Sequence, residues 1–386
     1  MPRLTAPSGA RRDEGVVALV VTLFFGSLVF VTLLALVIDL GVARLERRQL
    51  QNGAEAASVR AAQDCALDGT TGHTCGSLTP LISIASLNSA HGSETVTATG
   101  LCGLGAANLA ACGPGTLQNC PTTPTQAHWA QVTTSTWWSG SPFVPQFFSQ
   151  SLIGPRTITA CAQAAWGPPS ELLATAPFAI GLSCWQAQSS GGGYPANPPY
   201  TLATEPTASE VALVLGTDSQ AAHSCAVTAA GSGGFGWLDP TSSTTDPCEL
   251  DLSYGQISQS TGASLSDAAC QAKMAAMVNA TEVSNNKWTP AYFNRVTYLP
   301  LYDTSTTASG TNASYHITGF AAFYMTGFQA PSLGKSAAPR VAANACNSSS
   351  VCIYGWFVQG SLIGASSQIG TSTQTNYGLS VVSPVG

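Results

Sequence analysis

The segment from Val16 to Ile38, VVALVVTLFFGSLVFVTLLALVI, contains no charged residue, and this limits the fold more than any other feature. As a helix it rises about 35 Å, enough to cross a hydrocarbon core of about 30 Å. Charged residues close both ends: Arg11, Arg12, Asp13 and Glu14 precede it, and Asp39, Arg44, Glu46, Arg47 and Arg48 follow. A buried core helix rarely runs this long without interruption. A cleaved secretory signal has an apolar region of about 7 to 15 residues and ends at small residues. This run is longer and ends in Asp39, so it is read as a retained membrane anchor.

Only 8% of the 386 residues are charged, where roughly 25% is usual for a globular chain. An apolar content of 45% still supplies a core, and the length allows two domains. The net charge is −6, and no Lys/Arg cluster with interleaved aromatics lies beyond the N-terminal region. A nucleic-acid partner is therefore not expected.

Basic residues do not set the orientation, because Arg3, Arg11 and Arg12 on one side face Arg44, Arg47 and Arg48 on the other. Cysteines do. All twelve follow the apolar run: Cys65, Cys75, Cys102, Cys112, Cys120, Cys161, Cys184, Cys225, Cys248, Cys270, Cys346 and Cys352. An even number on one side reads as a disulfide framework made in an oxidising compartment. There is no C-x-x-C and the five His are scattered, so neither a metal nor a cofactor is expected. Residues 1–15 are placed in the cytoplasm, 16–38 in the membrane and the bulk of the chain outside.

After the run, LGVARLERRQLQNGAEAASVRAAQ is rich in helix formers. Leu50, Ala54, Ala57 and Ala61 follow one another at spacings of four, three and four and share a helical face. Two readings stand: a juxtamembrane helix packing on its own domain, or one that also contacts membrane partners.

RRDEG before the apolar run and DLGVARLERRQLQNGAEAAS after it resemble the N-terminal signature of TadE/TadG-like proteins of the Tad (Flp) pilus-assembly system. The match is carried by Gly15, Asp39, Gly41, Arg47, Leu50, Gln51, Asn52, Ala54, Glu55, Ala56 and Ala57. FAIGLSCWQ, GGFGWLD, YHITGFAAFYMTG and CIYGWF look like the extracytoplasmic part of actinobacterial members. The resemblance implies an accessory or minor pilin-like role without enzymatic activity, with the lipid bilayer and other pilus-assembly membrane proteins as partners. Prepilin processing in pseudopilin members looks for Gly with Glu at the fifth apolar position. Here the fifth residue after Gly15 is Val20, and Glu14 precedes the glycine, which favours the full-length, TadG-like side.

Cysteine parity divides the outer part near Gly167. A cut at Trp166 to Ser170 leaves six cysteines on each side, whereas one at Ser189 to Tyr200 leaves seven and five. The expected units are 39–166, a juxtamembrane helix with an α+β module, and 170–386, a mainly-β disulfide-rich module. Strands are predicted in TVTATG, HWAQVTTSTWW, RTITACAQAAW, VALVLG, RVTYLPLY, HITGFAAFYMTGF and IYGWFVQGSL, all rich in β-branched and aromatic residues. A helix is predicted from Ser266 to Val278. The fold class is α+β.

Catalytic signals are thin. GSGGFG at Gly231 to Gly236, with Asp251 beyond it, matches a dinucleotide motif only formally, because Trp237, Leu238, Asp239 and Pro240 follow where a helix is required. G-x-S-x-G, H-E-x-x-H and an EF-hand loop do not occur. Asp218 and Asp251 do not fit D-x-S-x-S, and His223 beside Ser224 and Cys225 reads as an imidazole next to a disulfide. Trp137 and Trp138 suit a glycan surface, although such residues more often pack. A non-catalytic pilus-assembly component is expected, with a membrane-anchored hydrolase or carbohydrate-binding protein as the alternative.

Overall fold

The computed structural model describes residues 13–89, 94–113, 120, 122–137, 157–174, 176–189, 193–195, 197–198, 200, 204–214, 235–238, 248–259, 269–270, 272–273, 295–305, 314–330, 335–337, 339–348, 350–364 and 368–385. One helix, α1 (Asp13–Ala66), runs unbroken for 54 residues, about 80 Å. Its first half is exposed on every side, with Val16, Phe24 and Phe30 each more than 60% open. Its second half is built into the body. An all-round apolar stretch followed by a one-sided face is what the sequence requires, since only the second half has polar residues opposite its small ones.

That face lies on a five-stranded sheet. Strands β1 (Glu94–Leu104), β2 (Trp129–Thr136) and β3 (Thr159–Gly167) are antiparallel neighbours, as predicted from their β-branched residues. A short helix, α2 (Thr79–Leu87), opens with Pro80 in its first turn, where the missing N–H costs nothing. Ala57, Ala61 and Ala62 of α1, Leu81 and Ala85 of α2, Val96, Val132, Ala164 and Trp166 of the sheet form one core. Alanines on the helix let its backbone approach the strands closely.

The chain then passes through Pro168 into β4 (Pro169–Ala174), β5 (Phe178–Gly181) and a helix, α3 (Leu182–Ser189). A larger sheet takes in β5 together with β6 (Val211–Val214), β7 (Phe235–Trp237), β9 (Ile257–Gln259), β10 (Val296–Ser305), β11 (Ser314–Ala330), β12 (Lys335–Ala337) and β13 (Cys352–Val358), while β8 (Leu250–Ser253) lies apart from it. Its path is β6-β13-β11-β10-β5-β7, with β9 and β12 also paired to β11, while β8 joins β4 in a smaller sheet. All strand pairs along this path are antiparallel except β5 with β10.

Residues alternate across β11. Ala321, Phe323 and Met325 enter the core on one side, and Phe320, Ala322 and Tyr324 enter the core on the other. Both faces are covered, which is why GFAAFYMTGF reads as a continuous apolar run although it is a strand. Leu172, Ala174, Leu250 and Leu252 of the small sheet cover the second side. Trp185 of α3 covers the first.

The C-terminal strands return to the first sheet. After β14 (Gly360–Ile363) and β15 (Gln368–Ile369), β16 (Leu379–Val385) pairs parallel with β14 and antiparallel with β3. The five-stranded sheet, in order β1-β2-β3-β16-β14, thus draws on residues from both sides of Gly167. The predicted helix from Ser266 to Val278 lies largely outside the described residues. The result is an α+β chain: a long apolar helix followed by a mainly-β, disulfide-bridged body.

Bridges join Cys65 to Cys75, Cys102 to Cys112, Cys120 to Cys161, Cys248 to Cys270 and Cys346 to Cys352. Cys184 is also disulfide-bonded. Cys225 lies outside the described residues and is the one cysteine left over from the twelve. Non-reducing peptide mapping is expected to return these five linkages and no bridge between the 65–161 cysteines and those from Cys184 onward. A peptide joining Cys184 to a cysteine of the 65–161 group would refute this division.

Candidate functional site

The docked half of α1 gathers the residues singled out by the helical spacing. Leu50, Ala54 and Ala57 are fully buried and Ala61 is nearly so, all on the chain's own sheet. In this arrangement that face is occupied by β2 and β3. Asp39 sits higher, half-exposed where the apolar run ends, and does not join them. The opposite side carries exposed Arg44, Leu45, Arg47, Arg48, Asn52 and Glu55.

Polar side chains fix the helix along its length. Thr134 donates its hydroxyl to the Leu50 carbonyl at 2.9 Å, fully buried. Gln51 donates from Nε2 to the Cys161 carbonyl at 3.3 Å and to Glu55 at 3.0 Å. Gln63 donates to Ser361 Oγ at 3.1 Å, tying α1 to β14. At the lower end the buried Asp64 carboxylate accepts from Arg60 at 2.9 Å and lies 2.7 Å from His73 Nδ1. Arg60 also donates to the Gly72 carbonyl, and the Cys65–Cys75 bridge closes the same turn. Asp64, His73 and Gln63 were not foreseen. The i,i+4 spacing of Arg60 and Asp64 was the available signal.

A second polar group, around Glu205, lies against the larger sheet through Tyr324 of β11. Glu205 pairs with Arg340 at 3.2 Å and accepts from Tyr324 at 3.4 Å. Burial raises the Glu205 pKa above its usual 4.5, with Arg340 and Arg295 opposing the shift. Burial also pushes Tyr200 up to about 12, and Tyr200 accepts from Trp356 Nε1 at 3.1 Å. Tyr324 is raised by the same cause and stacks on Trp356 at 4.8 Å.

A raised folded-state pKa means that the native state binds more protons than the unfolded chain as Glu205 titrates. Stability attributable to Glu205 is therefore present below its ordinary value of 4.5 and is lost as pH rises through the elevated one. Thermal melts across this window are expected to show that fall in wild type and a flatter profile in Glu205→Gln. An unchanged slope in the variant would reject the assignment.

Glu210 is the other buried carboxylate of this region. It accepts from Thr326 Oγ1, from the Arg340 N–H at 2.8 Å, from the Val341 N–H at 2.7 Å and from Asn344 at 3.2 Å. Glu205 and Glu210 are both buried, and the Thr326 hydroxyl is one of several donors held by Glu210. Their partners make them fastenings between β6, β11 and the 340–344 turn. Among the described residues, no group of three His, Cys, Asp or Glu could hold a metal ion.

The other motifs resolve as follows. Gly236 is in β7, followed by strand rather than helix, and a Cβ there would lie 2.2 Å from the Tyr315 hydroxyl oxygen. That glycine is required for packing. Asp251 is exposed on β8. Trp137 is exposed, while Trp138, Asp218, His223 and Ser224 lie outside the described residues.

No curated protein and no solved structure matches the chain. A family model does match, that of the Flp pilus-assembly TadE/G-like (Tad) family, over residues 15–64. The matched stretch opens at the start of the apolar run and closes on Asp64, so it spans the exposed half of α1 and the docked face together. Over this helix the chain is similar to the Flp pilus-assembly TadE/G-like family.

Proposed function

We propose that this chain is a non-catalytic accessory or minor pilin-like component of a Tad/Flp pilus-assembly system, of the TadG-like kind found in actinobacteria. One observation carries the reading: a single unbroken helix has an apolar half long enough to span a membrane and a second half locked into a folded body. Such a helix holds the body at a set distance from the bilayer and transmits force to it without a hinge. The N-terminus is assigned to the cytoplasm and the body to the outside, because every cysteine follows the apolar run and the bridges form in an oxidising compartment. The units 39–166 and 170–386 are the proposed outer modules, with β14 and β16 of the second completing the sheet of the first. Asp39 is the residue assigned to membrane-boundary partners, where a carboxylate pairs more strongly than in water.

Deletion of the gene is expected to reduce surface pili and pilus-dependent adhesion, with restoration by the wild-type copy. Complementation with Asp39→Asn, at equal protein level and membrane insertion, is expected to leave piliation low. Normal piliation in the deletion would reject the assembly role, and full rescue by Asp39→Asn would reject the partner-facing charge alone.

A further inference from the structure

Arg44, Arg47 and Arg48 lie on the first turns of α1 beyond the apolar run, and all three are exposed. Positions three and four apart share one side of a helix, so the guanidinium groups form a single basic face. Like charges at this spacing repel and weaken a helix unless a counter-charge meets them from outside it. The nearby acids do not supply one. Asp39 and Glu46 fall about 140° and 160° round the axis from Arg44, on the side of Leu50 and Ala57, and Glu46 is buried there. Glu55 is exposed but sits about 10 Å further along the axis than Arg48, and accepts from Gln51. Among the described residues, no carboxylate pairs with any of the three arginines.

Their height above the apolar run identifies the counter-charge. Arg44 stands about 9 Å and Arg48 about 15 Å beyond Ile38 along the helix. The headgroup layer on each side of a hydrocarbon core is about 5 to 8 Å deep. Long side chains on a helix slant toward its N-terminus, which in α1 is the membrane side, so each guanidinium ends closer to the bilayer than its own Cα. Arg44 thereby reaches the level of the lipid phosphates, and Arg47 and Arg48 come within a screening length of about 8 Å of them at physiological salt. A guanidinium fork also matches the oxygens of a phosphate.

We propose that Arg44, Arg47 and Arg48 bind the phosphates of anionic phospholipids in the leaflet next to the folded body. The contact sets the depth at which α1 leaves the membrane and resists its displacement along the axis. It applies to whichever leaflet the body faces. It rests on Val16 to Ile38 spanning a bilayer and is independent of a role in pilus assembly.

The test reconstitutes the full chain in phosphatidylcholine vesicles and compares spin-labelled phosphatidylglycerol with spin-labelled phosphatidylcholine, reading by EPR the fraction of each held at the protein surface. Wild type is expected to prefer phosphatidylglycerol, by a factor that falls as salt is raised. One basic residue at an anionic surface is worth about fivefold, but the reading averages over all lipids round the helix and Asp39 and Glu46 offset part of the charge. The triple variant Arg44→Gln, Arg47→Gln, Arg48→Gln is therefore expected to lower the preference about threefold or more. Arg44→Lys, Arg47→Lys, Arg48→Lys keeps the charge and is expected to retain most of it. All three positions are exposed, so both variants are expected to melt as wild type does. Equal preference in wild type and the glutamine variant overturns the proposal, and if that variant also loses surface pili, the face belongs to an acidic protein instead. Recovery of the wild-type chain outside the vesicles overturns the membrane span, and the lipid contact with it.

Discussion

Glu210→Ala is expected to destabilise the outer body by about 3 to 5 kcal/mol, the scale for removing one partner of a buried, charged hydrogen-bond group. The carboxylate is 6% exposed and accepts from a hydroxyl, two backbone N–H groups and an amide. Removing it strands the Arg340 and Val341 N–H groups and the Thr326 hydroxyl away from water. The damage should be local first. The 340–344 turn leads directly to Cys346, so hydrogen exchange of residues 340–346 is expected to rise before the sheet itself opens. Glu210→Gln keeps the shape and one acceptor oxygen, and should cost distinctly less. Equal melting temperatures for wild type and Glu210→Ala would show that the fastening contributes nothing.

Leu50→Ala is expected to cost about 3 kcal/mol, within the range for a buried leucine truncated in a core. Leu50 is fully buried, and its carbonyl takes the Thr134 hydroxyl. The opposite change, Ala57→Leu, adds bulk where α1 meets the strands and should cost about 1 to 3 kcal/mol by overpacking. Both act on the same seam. Protection of the α1 amides from 45 to 64 should fall in each, while membrane extraction is unaffected because the apolar run is not buried among the described residues. Full protection of those amides in both variants would mean that the seam does not hold the helix, and force transmission through it would have to be abandoned.

These two sites differ in how readable they were. Leu50, Ala54, Ala57 and Ala61 show their shared face through spacing alone, because a helix repeats every 3.6 residues whatever it packs on. Spacing did not say what would cover the face. The sheet does, and its strands lie about 80 to 110 residues away in sequence, at Thr134 and Cys161. Glu210 carried no signal at all. Its donors come from residues 326, 340, 341 and 344, more than 100 positions on, and no local pattern marks a glutamate that will be buried.

What the amino-acid sequence determined by itself is local in origin. An uncharged run of sufficient length, a following stretch of helix formers and the β-branched strand segments each follow from the chemistry of neighbouring residues. The α+β character and the family resemblance of the helix rest on those. The tertiary structure decided the rest: that β14 and β16 return to complete the sheet beneath α1, that FAAFYM is covered on both faces, and that Glu205 meets Arg340. The strand β16 has the same alternating chemistry as any edge or inner strand, so its sequence is compatible with either sheet. Its place is set by Val381 and Val382 meeting Gly167 and Trp166, a contact between segments more than 200 residues apart that only the packed chain can specify.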